Sequence, residues 1–77
     1  MALTWDPNEK TEDKLTRREV QVLALLAKGL RTKQIAAVLS LSPNTIDLYR
    51  GHILAKLRVH NSASAVRAGI ERGIIEV

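Results

Sequence analysis

Asn44, Asp47, Leu48, Gly51 and His52 fall at three- and four-residue offsets, the spacing that gathers side chains on one face of a helix. An amide, a carboxylate and an imidazole can exchange hydrogen bonds with a patterned surface, and Leu48 adds an apolar contact. Gly51 lets that surface approach the backbone. Such a face suits recognition better than bond making. The acids of the chain are scattered, His52 and His60 have no evident partner, and no nucleophile constellation or Gly-rich phosphate loop is present, so an enzyme is not expected. Two His at i and i+8, without Cys or nearby acids, do not make a metal site, and no cofactor is expected.

A second set has the chemistry of phosphate contact. Thr32 and Lys33 stand at the expected amino end of a helix, where free amides and the helix dipole favour an anion. Thr45 lies in the first turn of the next helix and can donate its hydroxyl. Tyr49 can place its ring inward and offer its hydroxyl to a phosphate, or serve simply as a half-buried core aromatic. Arg50 can reach a phosphate or brace its helix. Arg58 and His60 are further candidates, each with the plainer alternative of a solvated surface charge.

The elements that must position these groups can be read from apolar spacing and punctuation. Thr16 and Glu19 form a capping box, with Leu15 just before it and Val20 placed for a hydrophobic staple. A first helix then runs to about Lys28, with Val20, Leu23, Leu26 and Ala27 inward, and Gly29 ends it. Thr32 is expected to cap a second helix over 33–39, whose apolar stripe is Ile35, Ala36 and Leu39. Leu41 plugs the turn. Ser42 caps a third helix and Pro43 occupies its first position, where the missing amide costs nothing. This helix runs to about Leu57, with Ile46, Tyr49 or Arg50, Ile53, Leu54 and Leu57 inward. Ser62 is expected to cap a fourth helix over 63–72 that buries Ala65, Val66, Gly69 and Ile70. Gly73 stops it, and Ile74 and Ile75 fold back. A short helix, a tight turn and a capped longer helix make a helix-turn-helix, whose second member usually enters the DNA major groove.

The chain has 77 residues, which is one domain, and a domain this small is marginal unless its helices pack well. It has no Cys, so neither a disulfide nor a thiolate metal site supports it. That fits a cytoplasmic protein. There is no signal peptide and no apolar run of membrane-spanning length. Residues 1–14 are polar, contain Pro7 and show no apolar period. They read as a flexible arm or linker ahead of a domain at 15–77, with Trp5 the exception that could pack on the body. The arm holds four acids against two lysines, whereas the remainder holds ten Lys or Arg against four acids. A basic body suggests a polyanion. Two aromatics, Trp5 and Tyr49, are too few for a single-strand stacking platform, so duplex DNA is the expected partner.

Four segments together resemble a known family. They are Leu15-Thr16-x-Arg18-Glu19-x-x-Val22-Leu23, Gly29-x-x-x-Lys33-x-Ile35-Ala36, Leu39-x-Leu41-Ser42-x-x-Thr45-Ile46, and Ile53-x-x-Lys56-Leu57-x-Val59. Their types and spacing are similar to the LuxR-type DNA-binding domain, the output module of NarL/FixJ-type response regulators and quorum-sensing regulators, which also occurs alone in small regulators. The match covers roughly residues 15–75. Sigma-factor region 4 shares much of the first part, but a fourth helix ending in Gly73-Ile74-Ile75 favours the LuxR type.

The resemblance implies an all-α fold of four helices and a transcriptional regulator that binds double-stranded DNA, with RNA polymerase as a further partner. No small molecule is implied for this domain. Either the chain is the output domain of a longer regulator or it is a stand-alone one. The resemblance also implies that Lys56 holds the family's basic position and reaches the DNA backbone. It assigns the face of the fourth helix with Ala63, Ser64, Arg67, Ala68 and Glu71 to a homodimer. Those small residues bury little area, so the dimer is expected to be weak and to form chiefly on an inverted repeat.

The chain departs from its family at the reading face. Many relatives carry Lys or Arg at the positions of Asp47 and Gly51, residues that read guanine. Asp47 can only accept, for example from a cytosine amino group, and nearby phosphates repel it. Leu48 can pack on a thymine methyl. Two readings follow: an unusual operator read by Asp47, Leu48 and His52, or weak direct readout with specificity from DNA shape or spacing. The rival function is a helix-turn-helix turned protein-interaction module that blocks another regulator.

Overall fold

Thr16 opens the fold as its residue types predict. Its hydroxyl accepts the Glu19 amide at 3.2 Å, and the Glu19 carboxylate accepts the Thr16 amide at 2.8 Å. The computed structural model describes residues 14–76, so residues 1–13 of the expected arm, including Trp5, and Val77 lie outside the described residues. From Thr16 the chain forms α1 (Arg17–Ala27), α2 (Thr32–Leu39), α3 (Pro43–Leu57) and α4 (Ser62–Glu71). Among the described residues there is no strand. No helix there is long and apolar enough to cross a membrane.

Each boundary has a local cause. Gly29 leaves α1 with a φ of +89°, a conformation that needs no Cβ. Ser40 ends α2 in the left-handed region, and the Leu41 amide returns to the Ala36 carbonyl at 2.9 Å. Ser42 then caps α3 by accepting the Thr45 amide at 3.1 Å, with Pro43 in the first position. Arg58 ends α3, also left-handed, and the Val59 amide returns to Leu54.

Two expected caps are corrected. Arg31, not Thr32, precedes α2, and its amide is satisfied by Gln34 Oε1 at 2.8 Å. Asn61, not Ser62, caps α4 through Oδ1, which accepts the Ser64 amide at 2.8 Å. In both cases the helix starts one residue earlier than the hydroxyl suggested. Both hydroxyls are therefore free to bond elsewhere.

The core is Val22, Leu23, Ile35, Ala36, Ile46, Ile53, Leu57, Ala65 and Ile75. α3 runs through it and packs against the other three helices. Its stripe of Ile46, Ile53 and Leu57 is fully buried as the spacing predicts. On α1 the deepest positions are Glu19, Val22 and Leu23, while Val20, Leu26 and Ala27 are only half-buried. On α4 Ala65 and Gly69 are buried, Val66 is half-buried, and Ile70 is exposed rather than inward. The tail folds back as expected: the Ile74 amide bonds to the Gly69 carbonyl at 2.8 Å, and Ile75 reaches the core. Gly69 is where this tail and α1 meet. A Cβ there would stand 2.8 Å from Leu23 Cδ2 and 3.2 Å from Ile75 Cγ1.

Candidate nucleic-acid interface

Burying Ile46, Ile53 and Leu57 turns the opposite face of α3 to solvent. Asn44, Asp47, Leu48, Gly51 and His52 are all exposed there, together with Ala55. Leu48 is 62% exposed, an unusual position for a leucine unless something covers it. Gly51 has nothing within 4 Å of where its Cβ would stand, so the stripe is open beside Leu48. The middle of this face carries no cation.

The charged groups sit on its two flanks, and each is held by the chain itself. On one flank Lys56 Nζ donates to Glu19 Oε1 at 2.8 Å and to the Lys14 carbonyl at 3.1 Å. Lys56 is 21% exposed and Glu19 only 3%. His52 Nδ1 lies 3.7 Å from the other Glu19 oxygen. Burial pushes the Glu19 carboxyl upward, but the Lys56 hydrogen bond and charge and the Thr16 donors outweigh it, so its pKa is lowered. Glu19 is thus an ionised buried acid tying α1 to α3. Lys56, the expected backbone-reaching cation, is drawn back onto Glu19 in this structure. The capping box announced Glu19 as a cap only. The missed signal was position: Glu19 shares the buried face of Val22 and Leu23, where an acid needs a cation.

On the other flank Arg50 extends between three elements. Its Nη1 donates to Thr32 Oγ1 at 3.1 Å and stands 3.4 Å from Asp47 Oδ1. Nη2 donates to Ser62 Oγ at 2.8 Å. Thr32 Oγ1 also donates to Asp47 Oδ1, at 3.4 Å. Arg50 Nε is buried without a partner. Of the two roles open to Arg50, bracing is the one these contacts describe. Beside it an open pocket of about 380 Å³ lies between the end of α1 and the starts of α2 and α4, with Leu26 and Leu30 apolar and Arg31, Thr32, Arg50 and Ser62 polar.

The remaining candidates divide by exposure. Lys33 and Arg58 are exposed, as is His60. Thr45 is half-buried, and its hydroxyl shares a 2.9 Å hydrogen bond with Ser42 Oγ. Tyr49 is half-buried against the core. On α4, Ala63, Arg67 and Glu71 are exposed, and Arg67 pairs with Glu71 at 3.5 Å. Ser64 and Ala68, expected on the same open face, are half-buried. Among the described residues no group of three His, Cys, Asp or Glu could hold a metal ion.

Residues 13–68 match the family described as bacterial regulatory proteins, luxR family. The chain is 34% identical over 77 aligned positions to the response regulator UvrY of Escherichia coli K12, covering 96% of this chain and 35% of that protein. It is 45% identical over 56 positions to the transcriptional regulatory protein UhpA of the same organism, covering 73% of this chain and 29% of that one. A crystal structure of the response regulator ChrA, from a heme-sensing two-component system, superposes with a TM-score of 0.79 at 35% identity, over 80% of this chain and 31% of that one. The chain thus spans about a third of the length of the relatives it matches. The four-helix, all-α fold agrees with these matches, and the chain belongs to the luxR family of bacterial regulatory proteins, as a LuxR-type DNA-binding helix-turn-helix domain.

Proposed function

We infer that the chain lays α3 in the major groove of duplex DNA and serves a cytoplasmic transcriptional regulator, not an enzyme. The exposed, uncharged stripe of Asn44, Leu48 and Gly51 carries this reading, because a helix face that leaves a leucine bare and a glycine open fits a groove floor. Asn44 suits an adenine edge, Leu48 a thymine methyl, and Asp47 and His52 flank them. Thr32, Lys33, Thr45, Tyr49, Arg50, Lys56 and Arg58 are the proposed phosphate contacts, with Lys33 and Arg58 the readily available cations. For Arg50 and Lys56 contact requires loosening of the internal bonds described above.

Two copies bind an inverted repeat through Ala63, Ser64, Arg67, Ala68 and Glu71 of α4, in a weak dimer that forms on DNA. A longer regulator carrying this domain would also meet RNA polymerase. The internal pairing of Arg50 and Lys56 favours one rival, a head that binds another protein and touches DNA weakly.

Selection of sites from random duplex DNA at low salt, followed by titration of the winners against salt, tests the proposal. An enriched inverted repeat with steep salt dependence supports it. Absence of any binding overturns it in favour of the protein-interaction reading.

A further inference from the structure

Asp47 occupies a cradle that its own charge fits. One guanidinium edge, Arg50 Nη1, and one hydroxyl, Thr32 Oγ1, both face Asp47 Oδ1 at 3.4 Å. Thr32 is the first residue of α2, so the cradle adjoins amides that have no intrahelical partner. A guanidinium edge, a hydroxyl and a helix start are the donors that hold a phosphate oxygen. Exposed Arg31 and Lys33 stand on either side of Thr32 in the chain.

The bonding is uneven. Arg50 is fixed from behind by its 2.8 Å bond to Ser62, whereas both contacts to Asp47 are at the long limit of a hydrogen bond. The Asp47 side chain is 59% exposed. An exposed ion pair this long contributes little. The donors are therefore held in place while the acceptor is loosely held.

We propose that Arg50 Nη1 and Thr32 Oγ1 form a phosphodiester-binding site and that Asp47 is its resident anion, displaced when a DNA phosphate docks. This rests on the DNA-binding reading and adds to it a mask built into the reading helix. The mask explains how an acid is tolerated beside DNA: it cancels an arginine until a phosphate takes its place. Duplexes that do not bring a phosphate to the cradle meet a neutralised flank. Displaced Asp47 swings toward the groove, where it accepts from a cytosine amino group.

The test is a double-mutant comparison in this chain. Asp47→Asn, Thr32→Val, Arg50→Gln and the Asp47→Asn variants of the last two are titrated with a mixed-sequence duplex of about 30 base pairs, between about 50 and 200 mM salt. Circular dichroism melts confirm that each is folded. Asp47→Asn is expected to tighten binding by about threefold to tenfold and, because the wild type keeps its cradle masked on a duplex of mixed sequence, to steepen the slope of log K against log salt by about 0.9, the signature of one added phosphate. In the Arg50→Gln background, or in the Thr32→Val background should Arg50→Gln unfold, that gain disappears.

A gain that persists in both backgrounds overturns the mask, since it would reflect only removal of a negative charge near DNA. Weaker binding by Asp47→Asn also overturns it and makes Asp47 a base reader in the ground state. A wild-type chain that ignores the duplex while Asp47→Asn binds it supports the mask. If neither binds, both the mask and the underlying reading fall. If the wild type binds and Asp47→Asn matches it in affinity and slope, only the mask falls.

Discussion

Lys56 Nζ and Glu19 Oε1 stand 2.8 Å apart at the junction of α3 and α1, with the acid almost fully buried. Glu19 also closes the α1 cap. Removing Lys56 leaves a buried charge facing only its cap donors and His52 Nδ1 at 3.7 Å. Lys56→Met is therefore expected to destabilise the fold by about 2–4 kcal/mol, and Glu19→Gln by less, because an amide can still accept from Thr16. Urea melts of the three chains at neutral pH check the order. A Lys56→Met chain as stable as the wild type would show that the pair contributes nothing.

The same carboxylate sets a pH dependence. Its folded pKa lies below the model-compound value of 4.5. A group depressed on folding stabilises the native state above its unfolded pKa, and that contribution is lost as pH falls through the folded value. The stability difference between wild type and Glu19→Gln should be constant at neutral pH and shrink below about pH 4.5. Melts at several acidic pH values measure it. A difference that grows on acidification would contradict the lowered pKa.

Gly69 and Gly51 make opposite predictions for one substitution. A Cβ on Gly69 meets Leu23 and Ile75, so Gly69→Ala should cost about 1–3 kcal/mol despite its better helix propensity. Gly51 lies within α3 with open space around it, so Gly51→Ala should gain up to about 1 kcal/mol. Thermal melts of the pair distinguish packing from propensity. Equal effects of the two substitutions would refute the close approach at Gly69.

Arg58 holds a φ of +58°, which an L side chain adopts at a cost. Arg58→Gly should stabilise the domain by about 0.5–1 kcal/mol while lowering DNA affinity by a similar factor on every sequence, because the lost group is one of the proposed phosphate contacts. Stability and affinity moving in the same direction would remove Arg58 from the interface.

Leu48 is bare, so Leu48→Ala should leave the melting curve within about 0.5 kcal/mol of wild type. On the proposed function its effect falls on sequence choice. Replacing thymine by uracil in a selected site should weaken the wild type but not Leu48→Ala. Equal sensitivity in both chains would place another residue on the methyl.

The legible part of this fold was whatever repeats along one chain segment. Ile46, Ile53 and Leu57 declare the inner face of α3 by spacing, and the Asn44–Leu48–Gly51 face follows as its complement. Thr16 with Glu19 and Ser42 with Thr45 declare their caps because donor and acceptor lie three residues apart. What the spacing hid is long-range. Thr32 and Ser62 look like caps, yet each helix begins one residue earlier and both hydroxyls bond Arg50, 18 and 12 positions away. Lys56 looks like a free cation until α1 brings Glu19 beside it. Ile70 has the spacing of the α4 stripe yet is exposed, while Ala65 and Gly69 of that stripe and Ile75 of the tail are the buried positions. A side chain's partner across the fold is set by how helices pack, and that is not a property of any one segment's period.

One guanidinium bonds the first residue of α2 and the first residue of α4. Neither helix can fray at its amino end without releasing Arg50 from one hydroxyl and loosening its hold on the other. The first turns of the two helices are therefore expected to open together. Their early amides, though far apart in the chain, should exchange with deuterium at matched rates that separate when Arg50 is replaced.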